Sequence, residues 1–168
     1  AAELPDVRLV AMLRDPVERA YSAHRHELER GFETVGFEEA LDLEPTRLAG
    51  EVERLRADPT YRSHAHRHQA YVGRGQYVEQ LRALFELFGR DRVHVAWSED
   101  FFERPEAVYA DILEFVGLPV TLPPSFERWN ARPRGAMAEA TRRRLEDHFR
   151  PFDDDLAQEL GEEPSWRR

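Results

Sequence analysis

The segment LVAMLRDPVERAYSAH places two phosphate-competent side chains eight residues apart, Arg14 and Ser22. A guanidinium neutralises charge through a planar fork of donors and a hydroxyl orients one oxygen, so the pair suits a phosphate monoester. Arg14 ends an apolar run, and Ser22 falls about two turns into the helix expected after it, where both could face an anion above the helix start. The plainer reading pairs Arg14 with a carboxylate and leaves Ser22 facing solvent. On spacing alone both readings stay open.

The elements that must position this pair can be read from periodicity and punctuation. Val7 to Leu13 (VRLVAML) has the apolar, β-branched composition of a buried strand. Asp15 can cap a helix, Pro16 suits its first position, and Glu18 stands at capping-box spacing from Asp15. A helix is therefore expected from Pro16 to Arg30, closed by Gly31, with further helices over Phe37 to Leu43 and Thr46 to Ala57. Residues 58–72, rich in histidine and arginine, read as an irregular loop. Tyr77, Leu81, Leu84, Phe85 and Phe88 mark one face of a helix from Gln76 to Phe88, ended by Gly89. Arg92 to Trp97 reads as a second strand, Pro105 to Val116 as a helix capped by Gly117, Asn130 to Gly135 as a loop, and Glu139 to Arg150 as a last helix. Strand, helices, strand, helix is the rhythm of an α/β fold: a partial parallel sheet flanked by helices, whose ligands bind beyond the carboxyl ends of its strands. Arg14 sits at such an end.

Composition bounds the function classes. At 168 residues the chain (1–168) is expected to be one domain. The formal charge of −9 opposes wrapping a polyanion, so no nucleic acid partner is expected. There is no cysteine, which removes disulfides, thiolate metal sites and cysteine nucleophiles. There is also no lysine, so all 24 basic residues are arginine, a bias that fits a GC-rich bacterial genome. No apolar run approaches the roughly 20 residues that cross a bilayer, and the first residues lack a signal-peptide layout, so the chain is expected to be cytoplasmic with no membrane partner. Ala1 reads as the continuation of an upstream helix rather than a native start.

RDPVERAYS resembles the 3′-phosphate-binding motif of the PAPS-dependent sulfotransferase family, especially its bacterial and heparan-sulfate-type branch. The resemblance continues through Gly75-Gln76-Tyr77 with Leu81 and Phe88, through VHVAWSEDFFERPEAVYADILEFVGLP with its acidic pair Glu99 and Asp100, and through NARPRGAM before the helix near TRRRL. It implies that Arg14 and Ser22 hold the 3′-phosphate of PAPS (3′-phosphoadenosine 5′-phosphosulfate), with PAP as product. It also implies a cofactor-binding loop in which Arg132 matches the arginine of a lysine-glycine-arginine sequence, Asn130 and Ala131 replacing the other two. Arg134 with Gly135 is a shifted alternative.

The chain also departs from the family. The 5′-phosphosulfate loop with its lysine should precede this segment and is not found, and the catalytic acid or base is expected from the same missing part. The resemblance therefore implies the carboxyl-terminal part of a P-loop-like sulfotransferase fold, inactive alone, which transfers a sulfuryl group to a hydroxyl or amine of a small-molecule or saccharide acceptor. The missing amino-terminal half would then be a partner. An alternative is a non-catalytic, family-derived PAP-binding or interaction domain. A nucleotide kinase is disfavoured because no glycine-rich phosphate loop with a lysine is present.

Other signals have plainer readings. In an extended loop His64, His66 and His68 would share one side, but a metal site would still need ligands from elsewhere, so a polar loop is the expectation. His24 and His26 diverge on a helix. Arg142, Arg143 and Arg144 read as a solvated face pairing with Glu139 or Glu146, Glu99 and Asp100 as helix-capping or hydrogen-bonding residues, and Tyr77 as core.

Overall fold

The computed structural model describes residues 6–127 and 135–168. Its contacts divide the chain into two compact units: Ala1–Asp15, Tyr77–Ala136 and Phe152–Arg168 form the first, Pro16–Gln76 and Met137–Pro151 the second.

The first unit holds the sheet. Strands β1 (Leu9–Leu13) and β2 (Val93–Trp97) pair in parallel, in register from Leu9 opposite Val93 to Leu13 opposite Trp97. Parallel strands cannot be joined by a hairpin, and a long crossover separates these two in sequence. Helix α5 (Tyr77–Phe88) covers them: Tyr77 and Leu81 of the foreseen face are buried with Leu13, Val93 and Trp97. Leu84, Phe85 and Phe88 pack against them partly buried, and Val78, outside that face, joins the core. Full burial of each aliphatic side chain stabilises by about 1.5–3 kcal/mol. On the other side β1 exposes Val10 and Met12. Helix α6 (Ser98–Glu103), not anticipated from the sequence, follows β2 directly, and α7 (Pro105–Val116) has the expected bounds. Gly117 ends α7 at φ 81°, and the Leu118 N–H returns to the Leu113 carbonyl, which closes orphan acceptors of the last turn.

The second unit is helical: α1 (Pro16–Glu29), α2 (Phe37–Leu48), α3 (Glu51–Ala57), the single turn α4 (His64–His68), a 3-10 turn at Gly73–Gly75, and the first half of α8 (Glu139–Leu160). Val17, Ala20, Phe37, Ala40, Leu41, Tyr71, Leu145 and Phe149 form its core. Ala20 and Ala40 have no exposed surface, and such small side chains let α1 and α2 approach closely.

Several boundaries correct the sequence reading. Helix α2 continues through Pro45 to Leu48, and the break comes at Gly50, whose φ of 75° suits glycine. Burial of Leu41 and anchoring of Glu44 on either side of the turn outweigh the amide that proline lacks. The supposed loop 58–72 contains α4, in which the amide of the third residue, His66, is capped by Ser63 Oγ at 2.9 Å. Helix α8 runs past Arg150 and through Pro151 to Leu160, because Phe152, Leu156 and Leu160 supply a further apolar face to the first unit's core. Arg142 pairs with Glu18 on α1 and Arg144 with Asp42 on α2, while Arg143 has the expected local partner Glu139.

Two buried carboxylates hold the irregular part of the second unit. Glu33 accepts from Arg47 at 2.6 and 3.2 Å, from the Thr34 and Val35 amides at 2.8 and 3.2 Å, and from the Tyr71 hydroxyl at 3.0 Å. Glu44 accepts from the amides of Tyr71, Val72 and Gly73 at 2.8–3.0 Å. Burial alone would raise the Glu33 pKa, but the Arg47 contact, the two amides and Tyr71 outweigh it and hold the group at about 2. Burial and the neighbouring Glu33 charge in turn push the Tyr71 hydroxyl well above its ordinary range.

Glu33→Gln is expected to destabilise the protein by roughly 2–4 kcal/mol in denaturant titration, since it leaves Arg47 without its anion. Because the folded pKa lies below the ordinary value of 4.5, the Glu33 contribution is complete above about pH 4.5 and is lost as pH falls toward 2. The acid limb of the stability curve should therefore flatten in the variant. Gly75→Ala is expected to cost about 1–3 kcal/mol, since its Cβ would lie 2.6 Å from Phe149 Cε1 and 3.0 Å from Pro16 Cβ.

Candidate functional site

The chain end of β1 is built by hydrogen bonds from three directions. Leu13 is buried in the first unit's core, so the next residue, Arg14, leaves the sheet half-buried at its carboxyl edge. The Tyr77 hydroxyl donates to the Arg14 carbonyl at 2.9 Å. The Asp15 amide donates to Glu99 Oε1 at 3.0 Å, and the other oxygen of Glu99 accepts from Ser165 Oγ at 2.8 Å. Both backbone groups that could let the turn rotate are thereby tied, and Arg14 is carried on a fixed peptide. Glu99 has the hydrogen-bonding role read from the sequence. Asp100 binds Arg168 at 2.9 Å, which anchors the chain's last residue beside α6. Tyr77 is core, as expected, but its hydroxyl adds a positioning function that periodicity could not reveal.

Beneath this turn lies a group the sequence reading missed. Asp153, on the last part of α8, is 8% exposed and accepts from the Trp166 indole N–H at 3.0 Å. Trp166 packs edge-on against Trp97, with ring centroids 5.3 Å apart. Burial pushes the Asp153 carboxyl up to about 6, and the charges of Asp15 and Asp154 add to it, while the indole contact and Arg167 act the other way. The only sequence signal was its place in the run Asp153-Asp154-Asp155, which reads as solvated.

The remaining expected site residues are placed separately. Ser22 lies half-buried on α1 of the second unit, two turns from the helix start. Gly135 is exposed and without regular structure. Arg132 and Arg134 lie outside the described residues. Thus the β1 turn is held by Tyr77 and Glu99, and the geometry of the five-residue cofactor contact set remains an expectation from the sequence.

The histidines form no metal centre among the described residues. On α4, His64 and His68 share a face, with ring centroids 5.0 Å apart, rather than lining an extended strand with His66. His68 Nδ1 instead meets Glu27 Oε2 at 2.9 Å and its ring stacks on Phe32 at 4.1 Å. His24 is buried between Phe37 and Tyr71, with Nε2 on the Val35 carbonyl at 2.9 Å. No helix among the described residues is long and apolar enough to cross a membrane.

Asp153→Asn is expected to raise thermal stability near pH 7. An ionised Asp153 is unfavourable in the fold because its folded pKa of about 6 exceeds the ordinary 3.8, so its contribution falls as pH rises between these values. The amide oxygen can still accept from Trp166. A gain on the order of 1–3 kcal/mol at pH 7, vanishing below pH 4, is the outcome to check by thermal unfolding across pH.

No family model and no curated protein matches the chain. Among solved structures it is similar to the crystal structure of a sulfotransferase from Alicyclobacillus acidocaldarius, at 30% sequence identity and a TM-score of 0.71. The match covers 98% of this chain and 59% of that one. The chain thus shares the α/β architecture of a bacterial sulfotransferase across nearly all of its length, while spanning three fifths of that protein.

Proposed function

We propose that this chain is the 3′-phosphate-binding part of a PAPS-dependent sulfotransferase, whose acceptor is a hydroxyl or amine on a small molecule or saccharide. The observation that carries the reading is the 30% identity to a sulfotransferase structure over 98% of the chain, with RDPVERAYS at the β1–α1 junction. The heparan-sulfate-type branch and membership of the family rest on the motif resemblance.

The donor set fits the nucleotide. Arg14 sits at a strand's carboxyl end on a peptide held by Tyr77 and Glu99, directly before the amino end of α1. A guanidinium carried there on a held peptide matches a dianionic phosphate monoester, and helix-start amides favour the same charge. In this reading Arg14 neutralises the 3′-phosphate and Ser22 orients one of its oxygens, with Arg132, Arg134 and Gly135 as further contacts. PAPS supplies the activated sulfuryl group when bound. The chain's own residues bind and orient; donors for the transferring oxygens and the base for the acceptor would come from polypeptide beyond these 168 residues. Two features support that assignment: the chain has no lysine, and β1, paired with β2 alone among the described residues, exposes Val10 and Met12. The proposed location is the cytoplasm.

Calorimetric titration of the 168-residue chain with PAP should show binding, with ATP markedly weaker. Arg14→Ala should weaken PAP affinity by about 10- to 100-fold, the worth of a charge-assisted contact, and Ser22→Ala by about 3- to 10-fold. Equal affinity of Arg14→Ala and the parent would overturn the assignment. Sulfuryl transfer from labelled PAPS by the natural gene product, but not by this chain, would place the chemistry in the longer protein. PAP binding with no transfer by either would select the non-catalytic alternative.

A further inference from the structure

The second unit carries a half-open cavity of about 630 Å³ that none of the nucleotide-binding expectations uses. That volume falls within the range of roughly 300–1,000 Å³ typical of small-molecule sites. Leu41 and Leu48 of α2, Val72, and Leu145 of α8 give it an apolar wall. Its polar lining is asymmetric in charge. Arg144 is matched by Asp42 at 2.7 Å, and Asp147 by Arg150 at 2.6 Å, so these rim pairs cancel. Gln76 Nε2 lies 3.3 Å from His148 Nε2 at the same rim.

Glu44 is different. The residue is 4% exposed and is among those lining the cavity, and both oxygens of its carboxylate are engaged by the amides of Tyr71, Val72 and Gly73. Amide dipoles stabilise a carboxylate without removing its net charge, and among the described residues no cationic side chain forms an ion pair with Glu44. A fixed negative charge beside apolar walls, in a space too small for a macromolecule, selects a ligand with a cationic head and a compact apolar body. We infer that this cavity is a binding site for a small apolar primary amine, with the ammonium group on the Glu44 side and the hydrocarbon against Leu41, Leu48 and Leu145. The three amides keep the carboxylate oriented before the ligand arrives, so little ordering is required on binding. The inference stands apart from the sulfuryl-transfer reading, since it needs neither nucleotide nor turnover.

Three probes with one body separate charge from apolar packing: 2-phenylethylamine, 2-phenylethanol and phenylacetate, titrated into the 168-residue chain at pH 7 without nucleotide and followed by saturation-transfer NMR and calorimetry. The amine should bind at least about tenfold tighter than the alcohol, with phenylacetate weakest. Leu48→Trp, which fills the cavity, should weaken the amine by at least about tenfold. Pro45→Trp, at a second lining position on the exposed side of α2, should do the same and serves if Leu48→Trp does not fold. Equal binding of the three probes, a preference for phenylacetate, no binding of any, or full amine affinity in the folded tryptophan variants would each overturn the site. Because PAP is absent throughout, such a failure leaves the nucleotide assignment untouched, and loss of PAP binding leaves this one untouched.

Discussion

Carboxylates that accept hydrogen bonds from irregular backbone are the constraint on which this structure depends. Among the described residues, amides outside the two strands and the helices have no ladder partner, and a buried amide left unpaired costs as much as a lost hydrogen bond. Glu44 takes three such amides, Glu33 takes two, and Glu99 takes that of Asp15. Tyr71 shows the consequence most clearly. Its hydroxyl is on Glu33, its amide on Glu44, its carbonyl on Arg19, and its ring in the core. Removing one carboxylate would release a segment rather than a single contact.

The same device operates at the candidate site with a different outcome. In the second unit the carboxylates fix a loop for packing. At the end of β1, Glu99 fixes a turn so that the adjacent Arg14 presents its side chain from a rigid peptide. A guanidinium on a mobile turn would lose conformational freedom on binding an anion, whereas one on a tied turn has lost much of it already. Packing of Tyr77 against Leu13 and Trp166, with its hydroxyl on Arg14, links the core of the first unit to this preorganisation.

Helix α8 joins these themes. Leu145 and Phe149 on its first half belong to one core, and Phe152 and Leu156 on its second half belong to the other. Asp153 lies between apolar neighbours on that second half, and its buried environment opposes its charge. A carboxyl with its pKa near 6, close to the turn that carries Arg14, is a stability cost of the kind that accompanies functional regions. By contrast the pairs of Arg142 and Arg144 with Glu18 and Asp42 are half-exposed or exposed, and contribute modestly.

By itself the sequence determined the parts whose signals are local. Apolar runs and helix punctuation located both strands, α1, α5 and α7, because side-chain period, Pro16, Pro105, Gly89 and Gly117 act within a few residues. The segment RDPVERAYS named Arg14 and Ser22, and its place after a strand pointed to an anion. What depends on distant partners was decided only by tertiary structure. Helix α2 passes Pro45, and α8 passes Pro151, because cores assembled from remote residues outweigh a local breaker. Tyr77 became a clamp on Arg14, 63 residues away, and Glu99 a clamp on Asp15, 84 away. Asp153 and Glu44 are acidic letters in acidic stretches. Burial beside Trp166 or beneath Tyr71 gives them their chemistry, and burial is a property of the packed chain, which no spacing along the sequence encodes.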